Sequence, residues 1–234
     1  MKALAIVSGG IDSVTLAYKL AHENQLGGLL SFDYGQRHKK ELQFAAHTAT
    51  KLGSPHHLID LTSITKHLKG SALTDDVEVP DGHYAAESMK QTVVPNRNAI
   101  MLAVAFGVAP AHDLDAVGMA IHAGDHFIYP DCRPDFANLF EQMEQKALDG
   151  FWKIKLLTPF IGMSKGDIVR QAEVLGVPLA QTWSCYKGGA IHCGRCGTCV
   201  ERREAFHLAE VEDPTKYADQ NFWIEACRDR APQN

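Results

Sequence analysis

Residues 2–7 read Lys-Ala-Leu-Ala-Ile-Val, and the chain runs directly from them into Ser8-Gly9-Gly10-Ile11-Asp12-Ser13. The first run is short, apolar and bounded by glycine, which is the signature of a buried strand. Over 13–24, apolar residues at Val14, Leu16, Ala17, Leu20 and Ala21 suit a helix packed on a sheet. A strand feeding a helix through a two-glycine turn leaves few architectures open. The same rhythm continues with an apolar run at 28–32, a helix over 37–52 closed by Gly53, and a weak strand at 57–59. Alternating β-α-β-α-β implies an α/β fold, a doubly wound parallel sheet with helices on both faces. Further on, the pattern predicts a helix at 96–109, a strand at 115–119, a helix at 135–148 and a strand at 154–157. A helix at 164–175 has Ser164 as its N-cap and Gly176 at its end, and a short helix spans 200–208. Segments 70–92 and 120–134 read as long loops, which in compact domains are usually lids or binding loops.

The strand-to-helix turn carries the chemistry. Its glycines let backbone approach a phosphate without a Cβ clash. The free N–H groups and dipole of the following helix favour an anion there. Ser8 and Ser13 add hydroxyl donors. Asp12 by itself repels phosphate, so it holds Mg²⁺ or orients the loop. The ATP-contacting stretch is expected to be Val7, Ser8, Gly9, Gly10, Ile11, Asp12, Ser13, Val14 and Thr15. No Gly-Lys-Ser/Thr follows, which sets the loop apart from the P-loop kinase pattern. A plain capped Gly-Gly turn is the alternative.

Four of the six cysteines fall close together: Cys185, Cys193, Cys196 and Cys199. Four thiolates suffice for tetrahedral zinc, and the glycines between them allow tight folding around an ion. A disulfide-exchange pair or an iron–sulfur cluster would use similar spacings. His192 is an adjacent stand-in ligand, with the four sulfurs preferred.

The chain has 234 residues, 45% hydrophobic and 22% charged, enough for one large domain with a small appendage. The apolar N-terminal run is too short for a secretory core, and no apolar run, 99–109 included, approaches a membrane span. A cytoplasmic protein without membrane contacts is expected. Net charge is -5, which argues against a long nucleic acid as the main partner.

Ser-Gly-Gly-x-Asp-Ser after the first strand resembles the ATP pyrophosphatase, or PP-loop, family. Five further segments point within it: 31–38, Val94-Pro95-Asn96-Arg97-Asn98, Tyr129-Pro130-Asp131-Cys132-Arg133-Pro134, Gly162-Met163-Ser164-Lys165 and Thr182-Trp183-Ser184-Cys185-Tyr186. With the four cysteines they resemble the 7-cyano-7-deazaguanine synthase family of queuosine precursor synthesis, from Leu4 to about Phe206. The resemblance implies an adenine nucleotide alpha hydrolase-like fold, with an ATP-binding domain over 1–181 and a zinc-binding module over 182–234. It implies a ligase joining 7-carboxy-7-deazaguanine and ammonia at the expense of ATP, with Mg²⁺ accompanying the nucleotide, one structural zinc per chain, and a homodimer.

On that resemblance Asp12, Lys165 and Arg97 are the catalytic candidates, the two cations serving phosphate or transition-state charge. Arg97 could equally be a salt-bridged helix start and Lys165 an exposed first-turn residue. Asp131 and Arg133 are candidates to read the base and its carboxylate, or else a local salt bridge in a proline-braced loop. Tyr34 stacks on a purine or packs in the core. Two rivals remain. A PP-loop tRNA thiolation enzyme would need reactive cysteines near ATP. A zinc-module DNA-binding regulator would draw on Arg195, Arg202 and Arg203, which Glu201, Glu204 and Glu210 dilute.

Overall fold

The computed structural model describes residues 1–228. Its elements run β1 (Ala3–Ile6), α1 (Ile11–His22), β2 (Leu26–Asp33), α2 (Lys40–Leu52), β3 (His56–Asp60), α3 (Thr62–Thr65), α4 (Arg97–Ala111), β4 (Ala116–Gly118), α5 (Pro134–Ala147), β5 (Lys155–Leu157), α6 (Lys165–Val174), α7 (Gly197–Ala209) and α8 (Phe222–Arg228). Alternate side chains of β1 enter two different apolar layers, because residues two apart on a strand share a face. Ala3, Ala5 and Val7 join Leu16 and Leu20 of α1, Ala45 and Ala49 of α2, Ile168 and Ala172 of α6, and Phe206 of α7. Leu4 and Ile6 join Leu102 and Phe106 of α4 and Phe140 of α5. A strand apolar on both sides needs helices on both sides, and it has them.

All four strand pairings are parallel, in the order β3-β2-β1-β4-β5. The chain winds outward from β1 in one direction through β2 and β3, and in the other through β4 and β5. The connections leaving β1 and β4 therefore diverge and open a crevice at their carboxyl ends.

Several boundaries differ from those read in the sequence. α2 begins at Lys40 rather than residue 37, because Arg37 is drawn to the 70–92 segment: its N–H donates to Leu73 O at 3.0 Å and its Nη1 to Val77 O at 2.6 Å. α7 begins at Gly197, so Cys199 lies in its first turn, and the cysteine spacing had masked that start. α3 and α8 are short and were not anticipated. The 70–92 segment ends in a 3₁₀ turn, Glu87–Thr92, and touches the cysteine segment through an isolated antiparallel bridge, Asp81 to Cys196. Ser164 does cap α6, in a reciprocal capping box with Asp167.

Ala205, Phe206 and Ala209 of α7 lie in the same apolar layer as α1 and α6, whereas Trp183, Cys185, Cys196, Cys199 and Tyr217 form a separate small cluster with Ala72 and Val79. Residues 229–234 of the expected 182–234 module lie outside the described residues. Among the described residues no helix is long and apolar enough to cross a membrane.

Candidate active site

The turn from β1 to α1 is shaped from below by Val7 and Val14, both buried, and by Thr15, whose hydroxyl donates to Ile11 O at 2.7 Å. Gly9 has φ +89°, and a Cβ there would meet the Glu41 carbonyl oxygen at 2.3 Å. Only glycine lets the first turn of α2 close on this loop. Gly10 is the N-cap of α1 and offers no side-chain cap. Ser13 Oγ donates to Gly10 O and accepts from Ser8 N–H, each at 3.1 Å. The amides at the helix start thus face the crevice without a competing side-chain acceptor from the N-cap, an arrangement that suits an anion.

Beside the turn lies a ring of charge. Lys165, the first residue of α6, donates to Asp12 Oδ2 at 2.8 Å and to Glu201 Oε2 at 3.1 Å. His122, 1% exposed, directs Nε2 at Asp125, Glu201 and Asp12 from 3.5, 3.8 and 3.9 Å. Its Nδ1 accepts the Gly124 N–H at 3.1 Å, and one of its ring nitrogens lies with oxygens of Asp125 and Glu201 within 4.8 Å of one another, a group that could hold a metal ion. Asp12 Oδ1 and His122 Nε2 are buried and have no hydrogen-bond partner among the described residues. Burial pushes the Asp12 carboxyl up, but Lys165 and then His122 outweigh it and hold it below its usual value. Asp125 stands above its usual value, through burial reinforced by Glu201 and Asp12. Burial lowers the Lys165 ammonium, yet Asp12, Glu201 and Asp125 together raise it well above the ordinary lysine range. Three carboxylates therefore surround one ammonium, and the site carries an excess of negative charge.

The same crevice continues to Arg97, the first residue of α4. Its guanidinium lies over the Tyr34 ring, 5.6 Å from the centroid, with Tyr186, Tyr129 and Cys132 around it. Among the described residues no carboxylate is within 4.0 Å of it. Arg97 is not a salt-bridged helix start. Tyr34 packs in the α4-side core and also lines the crevice, with burial and then Glu41 pushing its hydroxyl up to about 12.

Asp131 and Arg133 are not brought into the crevice. Asp131 Oδ2 accepts the Asn98 N–H at 3.1 Å and so satisfies the start of α4, which Asn96 enters in the left-handed region with φ +59°. Arg133 is exposed and donates from Nε to His126 O at 2.9 Å, bracing its own loop. Proline at 134 forces this loop to end in a helix start, which turns both side chains to local work. Glu41, His122, Asp125 and Glu201 carried little signal in the sequence. His122 and Asp125 fall in a segment read only as a loop, and Glu201 reads as one charge among several on a surface helix.

Cys185, Cys193, Cys196 and Cys199 hold their sulfur atoms within 4.8 Å of one another. Four converging thiols can bind a metal ion. His192 is not among them: its Nε2 accepts the Ser184 N–H at 3.1 Å and its ring packs on Trp183 at 4.2 Å. Burial, and next Arg202, lower this imidazole to about 4. Gly194 has φ +80°, and a Cβ there would lie 2.1 Å from Asp219 O, so the cysteine loop can close only with glycine at that point. Arg202, fully buried behind the cluster, donates to Thr182 Oγ1 at 2.7 Å and to Asp213 Oδ1 at 3.3 Å, and is committed to the fold rather than to a basic surface.

Comparison with known proteins adds four findings. The family model described as queuosine biosynthesis protein QueC matches residues 2–210. A protein of Rhizobium rhizogenes named 7-cyano-7-deazaguanine synthase is 66% identical over 226 residues, covering 97% of this chain and 96% of its own. One of Ruegeria pomeroyi with the same name is 65% identical over 230 residues, covering 98% and 100%. Among solved structures, NMN synthetase from Francisella tularensis superposes with a TM-score of 0.52 at 16% identity, covering 100% of this chain and 88% of that one, a likeness of fold.

Proposed function

The chain belongs to the QueC family of queuosine biosynthesis proteins, and from that membership we propose how its crevice converts 7-carboxy-7-deazaguanine and ammonia to 7-cyano-7-deazaguanine with ATP. The observation that carries the reading is one crevice with an anion-accepting helix start and Lys165 on one side and, on the other, the guanidinium of Arg97 with no carboxylate within 4.0 Å among the described residues. That pairing suits a nucleotide phosphate and a carboxylate held next to each other.

A carboxylate resists attack by an amine because its charge and resonance remove electrophilicity. Its oxygen attacks the α-phosphorus of ATP, pyrophosphate leaves, and a mixed anhydride forms. Ammonia attacks the carbonyl carbon, the nucleotide leaves, and an amide results. A second activation, at the amide oxygen, lets the carbon–oxygen bond break as the nitrogen loses its remaining protons. Ser8, Gly9, Gly10, Ile11 and Ser13 hold the phosphates. Lys165 leaves its carboxylate partners for the charge that develops on the phosphoryl group, which favours the transition state over the ground state. Arg97 takes the substrate carboxylate in a two-pronged contact that a guanidinium is shaped for, in place of the exposed Arg133. Tyr34 packs against the purine-like ring.

Asp125 and Glu201, whose oxygens converge with His122, fit a hard divalent cation, and Asp12, with Oδ1 buried and without a hydrogen-bond partner among the described residues, lies beside them. Magnesium bound there would neutralise phosphate charge. Four thiolates fit zinc, in a closed site that would tie the segment before α7 to the core. We place the protein in the cytoplasm, where such thiols remain reduced. The thiolation alternative is disfavoured by Cys132, which is buried, accepts from Asn98 Nδ2 at 3.2 Å, and is held far above the usual thiol range by burial and then Asp125.

Mass spectrometry of products from 7-carboxy-7-deazaguanine, ATP, Mg²⁺ and ammonium tests the reading. The nitrile should appear only with all components, preceded by the amide at early times. Nitrile formed without ATP consumption would refute the mechanism.

A further inference from the structure

Glu41 is a crevice-lining carboxyl that the steps above leave without work. It lies in the first turn of α2, and its carbonyl oxygen is the atom that closes on Gly9. Its Oε1 accepts from Gln36 Nε2 at 3.2 Å. Gln36 is itself buried, 5% exposed, and its amide is fixed at both ends: Oε1 accepts the Tyr34 N–H at 2.9 Å and Nε2 also donates to Phe32 O at 3.3 Å. The Glu41 carboxyl is thus oriented by a rigid partner and placed between the phosphate turn and the Arg97 end of the crevice. The titratable groups facing it are Arg97 on α4 and Tyr34 at the end of β2.

We propose that Glu41 is the general base that takes the protons shed by ammonia during nitrogen transfer, which makes it a catalytic residue of the second half of the reaction. The inference rests on the function proposed above. Ammonia arrives with three N–H bonds and leaves as a nitrile nitrogen with none. The first proton departs when nitrogen adds to the mixed anhydride and the nucleotide leaves. The other two depart as the activated amide loses its oxygen. Each N–H electron pair stays with nitrogen, and together with the ammonia lone pair they become the three carbon–nitrogen bonds and the lone pair of the nitrile, so each proton needs an acceptor. Asp12 and Glu201 are poor acceptors because the Lys165 ammonium engages both, and Asp125 is turned toward His122 at 3.5 Å, on the side of the phosphate turn. Glu41 has no ammonium partner among the described residues. Burial, opposed by Arg97 and Gln36, raises its carboxyl to about 7, where it can both accept and return a proton near neutrality.

The test separates the two halves of the reaction in the full-length protein loaded with Mg²⁺. Exchange of labelled pyrophosphate into ATP, dependent on 7-carboxy-7-deazaguanine, reads adenylation alone. Amide formation with ammonium reads nitrogen transfer. Glu41→Gln should keep exchange within about twofold of the parent and lose amide formation by about 100-fold or more. Hydroxylamine, a stronger nucleophile whose weakly basic nitrogen gives up its proton to water once bonded to carbon, should restore acyl transfer to Glu41→Gln as the hydroxamate. Glu41→Asp should retain partial amide formation with the acidic limb of its pH profile displaced. Amide formation at the parental rate in Glu41→Gln overturns the proposal. So does loss of exchange in parallel with amide formation, since Glu41 would then serve adenylation or the fold. Failure of the parent itself to exchange would instead overturn the functional reading, and Glu41's role with it.

Discussion

Lys165 Nζ lies 2.8 Å from Asp12 Oδ2, a contact between residues 153 apart in sequence that joins the start of α6 to the start of α1. The ammonium is shared with Glu201, and its side chain is 16% exposed. Replacing Lys165 by Met leaves Asp12, Glu201 and Asp125 with no ammonium between them. Two effects follow. Loss of a charge that strengthens as phosphoryl charge develops should lower kcat by about 10²–10³ with a smaller change in KM. The melting temperature should also fall, and Asp12→Asn in the same chain should recover part of it by removing one of the stranded carboxylates. Asp12→Asn alone should abolish ATP turnover with circular dichroism unchanged. Steady-state kinetics and melting of the single and double variants check both. A kcat within twofold of the parent in Lys165→Met would place the phosphoryl site elsewhere.

The fold was legible because its evidence is local. A doubly apolar β1, the Gly9-Gly10 turn and the Ser164 cap each obey rules that operate within a few residues. The strand-to-helix turn itself was legible for the same reason. The charge ring was not, because it exists only once α1, α6, α7 and the segment after β4 converge. Asp12, His122, Lys165 and Glu201 have no sequence spacing that announces their meeting. Asp131 and Arg133 show the converse. The resemblance nominates them to read the base and its carboxylate, yet Asp131 accepts the N–H of a helix start and Arg133 donates to a loop carbonyl. Local hydrogen-bonding need decides such cases, and only the structure reveals it.

The capping box that aims Lys165 gives a pH-dependent prediction. Asp167 accepts from Ser164 N–H at 3.0 Å and Ser164 Oγ at 2.6 Å, and from Arg170. Those contacts, the Ser164 hydroxyl first, lower its carboxyl to about 2 from an ordinary 3.8. The folded state therefore binds this proton more weakly than the unfolded chain. The stabilisation is complete above the ordinary value and is lost as pH falls toward about 2. Because the group is solvent-facing, the effect is small and screened by salt. Asp167→Asn should lower stability near neutrality slightly and flatten the acid limb between about 4 and about 2. Urea melts across that range measure it, and an unchanged acid limb would remove Asp167 as the source.

The cysteine cluster should carry about one zinc per chain. Cys196 and Cys199 are fully buried and flank the start of α7, whose Phe206 helps to cover the sheet. Cys199→Ser should lower bound zinc well below one equivalent and shift melting downward by many degrees, because a closed zinc site contributes its binding energy to folding. Elemental analysis of protein purified without added metal, beside a melting curve, decides this. Stoichiometric iron with sulfide, or four free thiols in a protein of unchanged stability, would remove zinc from the account.

Arg97 should reveal itself by opposite effects on stability and activity. A half-buried guanidinium with no carboxylate within 4.0 Å among the described residues carries a desolvation cost that cation–π contact with Tyr34 offsets only in part. Methionine has comparable reach and no charge. Arg97→Met should therefore raise the melting temperature of the free protein, consistent with about 1–2 kcal/mol of added stability. The same change removes the group proposed to hold the substrate carboxylate, and a charge-assisted pair of hydrogen bonds is worth about 1.5–3 kcal/mol. KM for 7-carboxy-7-deazaguanine should rise about 10- to 100-fold, while KM for ATP moves little. Ligand melts make the distinction sharper. Saturating 7-carboxy-7-deazaguanine should raise the melting temperature of the parent well above that produced by 7-deazaguanine, which lacks the carboxylate. In Arg97→Met the two ligands should give equal shifts, because the advantage of the carboxylate is the counter-charge it brings to the guanidinium. If Arg97→Met still prefers the carboxylate as strongly as the parent does, the substrate anion is held by another cation in the crevice. Lys165 is then the group to examine.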